Sequence, residues 1–203
     1  MGKQVYISAD YSEDDGDRSV VDVLHKWSKD NYHVVDYCDT AQVVSGSVSK
    51  DSDCRSCDLK EEFNSQINAS SAVIFIIGDK TACRTAGSSC MRNISGAGCR
   101  CTPYKQNPNG SSVCKIKGET YTPGPDEDLG RINNFSYLEH EFRQAIRKKK
   151  DIIIVYNSLY RQSGWLPSYM KDYEDNAYPF WIHNASGNKV GNYAFIKQAL
   201  GYE

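Results

Sequence analysis

Ala72-Val73-Ile74-Phe75-Ile76-Ile77 is an unbroken apolar run halted by Gly78. A run this short and rich in β-branched residues is a strand, and without polar alternation both of its faces must be buried. Such a strand belongs in the middle of a parallel sheet, with helices covering either side as right-handed crossovers. Ile152–Tyr156 repeats the pattern, and Val5–Ser8 and His33–Tyr37 read as two further strands. Arg18–Lys29 is predicted as a helix, with Val20, Val21, Val23, Leu24 and Trp27 on its buried side and Asn31 as a stop. Leu59–Asn68 follows through Leu59, Phe63 and Ile67, with Asp58 as cap. Gly164–Pro167 predicts a turn or helix start, Tyr178–His183 a final strand with Pro179 at its edge, and Asn192–Leu200 a closing helix. The expected fold is a doubly wound, mainly parallel α/β sheet.

Asn133–Lys150 supplies the best-marked helix. Ser136 and Glu139 have the capping-box spacing, and Leu138, Phe142, Ala145 and Ile146 would face the core. Arg147 to Lys150 crowd the last turn, where the helix dipole favours positive charge. Two carboxylates, Glu139 and Glu141, therefore stand in the first turns of a helix packed on the sheet. In parallel sheets, ligands gather at the C-terminal ends of the strands. That edge should join the loop Ala9–Asp17, the polar loop Cys38–Asp53 and the start of the Ser136 helix.

A chain of 203 residues suits one domain, 1–203, with a sizeable core. The exception is residues 79–131, which lack periodicity and are rich in Gly, Pro, Ser, Asn and Cys; they are expected to form an irregular insertion. A net charge of -2 argues against a general nucleic-acid binder. No apolar run is long enough for a membrane span, and the first residues look like a strand rather than a signal peptide. The expectation is a soluble, cytoplasmic protein without nucleic-acid or membrane partners.

The chain carries eight cysteines. Cys54 and Cys57 form a Cys-x-x-Cys pair just before a predicted helix, a spacing used in redox and metal sites. Cys83, Cys90, Cys99, Cys101 and Cys114 lie in the insertion, where Cys90, Cys99, Cys101 and Cys114 are candidate ligands for a structural zinc. Thiols packed as small hydrophobes are the alternative, and the expected cytoplasmic compartment weighs against a disulfide framework. Asn-x-Ser triplets begin at Asn68, Asn93, Asn109, Asn134 and Asn184, but in an Asn- and Ser-rich chain they carry little weight.

Several chemistries are excluded by their missing signatures. There is no P-loop, and Gly96-Ala97-Gly98 lacks the third glycine of a dinucleotide fingerprint and sits in the insertion. His25, His33, His140 and His183 form no triad or metalloprotease pattern, and no Gly-x-Ser-x-Gly elbow occurs.

Val5-Tyr6-Ile7-Ser8-Ala9-Asp10-Tyr11-Ser12-Glu13-Asp14, followed by Asp17-Arg18 and an apolar helix, resembles the first strand, loop and helix of TIR-type domains. Ser136-Tyr137-Leu138-Glu139-His140-Glu141-Phe142, ahead of a basic turn and an aliphatic strand, is similar to the family's Trp-x-x-x-Glu helix. The narrower likeness is to the ThsB component of bacterial Thoeris anti-phage defence systems. It covers residues 1–78 and 133–183 and leaves out the insertion. The resemblance implies a TIR/flavodoxin-like fold and cleavage of NAD at the nicotinamide–ribose bond. The product would be a signalling nucleotide, cyclised or otherwise converted, that reaches a separate effector protein. Self-association is part of the same expectation.

Glu141 takes the family's catalytic glutamate position and Tyr137 its aromatic position, with Tyr in place of Trp. Ser8, Asp10 and Tyr11 follow the first strand and are expected to line the same cleft. Glu139 is the natural capping partner, which leaves Glu141 for chemistry. Arg18 is either a phosphate ligand or a structural ion-pair partner. Two rival readings are a TIR-like adaptor whose glutamate is not catalytic, and a zinc- or redox-sensing protein on a flavodoxin-like frame.

Overall fold

The computed structural model describes residues 3–10, 16–29, 35–39, 52–84, 105–106, 112–113 and 136–202. In chain order the elements are β1 (Lys3–Ser8), α1 (Asp17–Trp27), β2 (Val35–Asp39), α2 (Ser52–Ala69), β3 (Ala72–Ile77), β4 (Lys105–Gln106), β5 (Ser112–Val113), α3 (Tyr137–Arg147), β6 (Asp151–Tyr156), β7 (Ala177–Pro179), β8 (Trp181–His183), β9 (Lys189–Gly191) and α4 (Tyr193–Ala199). The main sheet has five strands in the order β2-β1-β3-β6-β7, and every neighbouring pair is parallel. The apolar run predicted as a central strand is β3, and none of its side chains exceeds 2% exposure.

Strand pleating sorts the core into two layers. Val5, Ile7, Ile74, Ile76, Ile153 and Val155 meet Val20, Val21 and Leu24 of α1 and Ile196 of α4. Tyr6, Val73, Phe75, Ile77, Ile154 and Tyr156 face Ile67 of α2 and Leu138, Phe142 and Ala145 of α3. Helices therefore cover both faces, as an all-parallel sheet requires. Among the described residues no helix is long and apolar enough to cross a membrane.

Several boundaries differ from the sequence expectation. Cys38 and Asp39 are buried strand residues of β2, not the start of a loop. Asp58 lies inside α2 instead of capping it, because the helix starts at Ser52 and takes in Cys54 and Cys57. The added residues, Ser52 to Asp58, contain no apolar repeat, so hydrophobic periodicity in the sequence registers only the later turns. The expected strand Tyr178–His183 is two strands. Pro179 ends β7 at the sheet edge, and β8 turns away to pair antiparallel with β9. In the predicted insertion the described pieces are a 3₁₀ turn, Thr81–Cys83, and the antiparallel pair β4–β5.

α2 and α3 lie side by side on one face. Phe63 meets Tyr137 edge-on at 5.7 Å, and Gln144 Nε2 donates to Asn68 Oδ1 at 2.8 Å. Both contacts advance in the same chain direction, so the two helices run parallel. Past the end of α3, the Lys150 ammonium donates to the carbonyl oxygens of Asn68 (2.9 Å) and Ser70, holding the last turn of α2. The basic turn seen in the sequence thus includes a tie between helices.

The C-terminal edge of the sheet is knotted by short polar contacts. Gly16 enters α1 with φ 78°, a left-handed conformation that suits glycine. Asp17, fully buried, accepts a 2.6 Å hydrogen bond from Asn157 Nδ2, just beyond β6. Gly78 lies against this pair, and a Cβ there would sit 3.1 Å from both Asn157 Nδ2 and Asp17 Oδ1. The added methyl would push both members of this hydrogen-bonded pair by a few tenths of an ångström. Gly78→Ala should cost about 1–3 kcal/mol, the usual range for overpacking. Urea unfolding beside Gly164→Ala, whose Cβ would meet nothing within 4 Å, checks this. Equal midpoints for the two variants would refute the account.

Candidate active site

The expected helix is α3, and Ser136 caps it: its Oγ accepts from the Glu139 backbone N–H at 2.9 Å. The Glu139 carboxylate pairs with Arg143 at 2.7 Å, so the cap is the serine's half of the predicted box. Leu138, Phe142 and Ala145 are buried as expected, whereas Ile146 is 45% exposed. The helix turns 100° per residue, which rotates position 146 past the edge of the stripe centred on 138, 142 and 145.

Glu141 lies on that buried stripe and is only 2% exposed. It reaches the sheet, where Tyr6 Oη donates to Oε1 at 2.8 Å and Ser8 Oγ donates to Oε2. Tyr6 and Ser8 stand two residues apart on β1 and so share the face that α3 covers. Burying a carboxylate is costly unless hydrogen bonds replace its water. The two hydroxyls, one on each oxygen, supply that compensation. They also fix the carboxylate plane at the C-terminal end of β1.

Further groups converge from neighbouring elements. Asp10, two residues past β1, has an 11% exposed side chain and lies 3.9 Å from Arg84 Nε. Arg84 follows the 3₁₀ turn beyond β3, so this ion pair spans the crevice between β1 and β3. There the strand order reverses direction, the usual position of ligands in open parallel sheets. Tyr169 comes from the 3₁₀ segment Ser168–Asn176, its ring centre 5.7 Å from that of Phe142. Its hydroxyl is shut off from solvent and makes no hydrogen bond of good geometry among the described residues. Burial pushes the phenol's pKa up, the Ser136 hydroxyl acts against that shift, and Glu139, Asp10 and Glu141 add to it. The phenol is therefore a neutral O–H at physiological pH.

The predicted site residues are distributed as follows. Glu141 and Ser8 are in direct contact, and Asp10 and Glu141 both lie within electrostatic reach of Tyr169. Tyr137, one helical turn before Glu141, packs its ring on Phe63. Tyr11 and the candidate zinc ligands Cys90, Cys99, Cys101 and Cys114 lie outside the described residues. Among the described residues, Cys38 is a buried free thiol and Cys83 an exposed one, and no group of three or more His, Cys, Asp or Glu could hold a metal. Arg18 makes an exposed ion pair with Asp22 at 3.7 Å, one helical turn on.

Tyr6, Arg84 and Tyr169 were not among the sequence candidates. Tyr6 could have been found from its two-residue spacing to Ser8. Arg84 sits in the aperiodic stretch, and Tyr169 reaches the site only through the packing of the 3₁₀ segment on α3, so neither left a pattern to read. No protein-family model, curated protein or solved structure matches the chain.

Proposed function

We propose that this chain is a TIR-like NAD-cleaving enzyme that breaks the nicotinamide–ribose bond and yields an ADP-ribose-type signalling nucleotide, cyclised or otherwise converted, in prokaryotic antiviral defence. The observation that carries the proposal is the Glu141 carboxylate, held by Tyr6 and Ser8 at the end of β1 beside the strand-order reversal. Breaking an N-glycosidic bond builds oxocarbenium character on the ribose, and a fixed carboxylate beside the sugar stabilises that charge. Nicotinamide leaves as a neutral molecule from a cationic ring, so no strong general acid is required. A site with carboxylates and hydroxyls but no His or Ser triad suits this chemistry.

In this reading Ser8, Asp10, Tyr11 and Tyr137 flank the dinucleotide, and Arg84 offsets the charge of Asp10 where a diphosphate has to pass. The nucleotide product acts on a separate effector in the cytoplasm, and the enzyme self-associates. The direct test is nicotinamide release from NAD by the purified protein at high protein concentration. No release would sink the proposal.

One observation favours a second reading. Glu141 is 2% exposed with both oxygens hydrogen-bonded, which also suits a structural anchor in a non-catalytic adaptor. In that case Glu141→Gln changes stability, and the wild type releases no nicotinamide. A structural zinc on Cys90, Cys99, Cys101 and Cys114 belongs to the proposal as a means of ordering the insertion. About one zinc per chain is expected in protein purified without chelator, by elemental analysis, and a metal-free chain with every thiol titratable would remove it.

A further inference from the structure

We propose that Tyr169 is a substrate-binding residue of this site, whose hydroxyl donates a hydrogen bond to a ribose hydroxyl oxygen while Asp10 and Glu141 accept from ribose O–H groups. The inference rests on the NAD-cleaving reading above and adds to it a residue that neither the sequence pattern nor the resemblance pointed to.

The argument starts from a deficit. A buried O–H without an acceptor costs about 1–3 kcal/mol, and such groups are rare enough to need a cause. The Tyr169 hydroxyl is one of them. Its surroundings are distinctive: the Ser136 hydroxyl, which accepts from the Glu139 N–H, lies within reach as a donor to the phenol oxygen and so leaves the phenol's own O–H without an acceptor, while Glu139, Asp10 and Glu141, from the first turns of α3 and the loop after β1, act on it electrostatically. Tyr156 also has a buried hydroxyl without a hydrogen bond among the described residues, but the charged groups acting on that phenol are Glu174 and Arg161, and no candidate site residue is among them.

Chemical complementarity then selects the ligand group. Ionised carboxylates only accept hydrogen bonds. A vicinal diol offers two O–H donors, which such walls satisfy, and oxygen lone pairs, which they cannot. A neutral phenol supplies the missing donor. Tyr169 is also held for this task, because its ring packs on Phe142, the residue after Glu141, at 5.7 Å. The same helical turn that carries the carboxylate therefore positions the phenol.

Tyr169→Phe keeps the ring and removes only the hydroxyl. It should lower kcat/KM for NAD by about tenfold, the equivalent of one hydrogen bond to substrate, and leave Tm within about 2 °C of wild type. A purely structural role is separated by substrates lacking the 2′- or the 3′-hydroxyl of the nicotinamide ribose. One of the two should be a markedly poorer substrate for wild type, with about tenfold of that penalty gone in Tyr169→Phe, because the two deletions share the Tyr169 bond while the bond to a carboxylate is lost in both enzymes. Unchanged kcat/KM, or deoxy penalties equal in both enzymes, would overturn the assignment while leaving NAD cleavage intact. A wild type that releases no nicotinamide overturns the cleavage reading itself, and this assignment with it.

Discussion

Glu141→Gln should reduce nicotinamide release by roughly 10²–10⁴-fold while leaving the protein folded, as expected when one catalytic carboxylate is neutralised. The substitution preserves shape, so the stripe formed with Leu138, Phe142 and Ala145 keeps its packing. It also leaves the hydrogen bonds satisfiable. One hydroxyl continues to donate to the amide oxygen, and the other rotates to accept from the amide N–H₂, since Tyr6 and Ser8 can both donate and accept. What disappears, on the proposed function, is the negative charge that would face the ribose as it becomes cationic. Release measured chromatographically, beside a thermal melt, separates the two effects. If wild type and variant release nicotinamide at the same rate, Glu141 is not the catalytic group. If Tyr6→Phe and Ser8→Ala, which remove one donor each, leave the rate unchanged while Glu141→Gln abolishes it, the charge matters and its positioning does not.

How much of this was legible in the sequence depended on whether a feature is periodic. β3 and β6 announce themselves because strands buried on both faces can hold nothing but apolar residues, and both were found within one residue of their observed ends. α1 was readable from amphipathic spacing and α3 from spacing and its cap Ser136, while α4 was placed without its cap: Asn192, like Ser136, accepts from a backbone N–H three residues on. α2 was half legible: Phe63 and Ile67 lie on its packed side, while its first turns carry too few apolar residues to signal a helix. The single strand predicted at Tyr178–His183 missed a break that the sheet edge imposes at Pro179.

The site divides in the same way. Glu141 and Ser8 came from ordered motifs on regular elements, and the structure brings those two into contact. Arg84 and Tyr169 came from irregular segments whose approach is set by tertiary packing, which no local pattern encodes. Tyr6 is the instructive intermediate. Its aromatic ring reads as core, and it is core, with 0% exposure. Yet its hydroxyl ends on the carboxylate of α3, because a tyrosine buried from β1 must find a polar partner for its tip.

Phe142→Ala is expected to have the largest effect on stability, about 3–5 kcal/mol, the range for deleting a buried aromatic ring. Phe142 is 1% exposed and joins α3 to two other elements: its ring meets Phe75 of β3 at 5.4 Å, and Tyr173 at 5.4 Å and Tyr169 at 5.7 Å, both of the 3₁₀ segment. The cavity cannot close easily, because Phe75 belongs to the central strand and α3 is tied to α2 through Gln144 and Asn68. For a chain of this length the loss lowers Tm by roughly 6–20 °C, readable by circular dichroism. A drop of less than about 3 °C would show that α3 is not anchored through this ring. The activity of the variant, measured well below its melting point, carries the stronger argument. If Phe142 only fills space, the folded fraction retains the wild-type kcat/KM. If its ring is the wall against which Tyr169 is set, the folded fraction loses about as much as Tyr169→Phe does, roughly tenfold. The double variant then loses little more than either alone, since residues acting through one contact are non-additive.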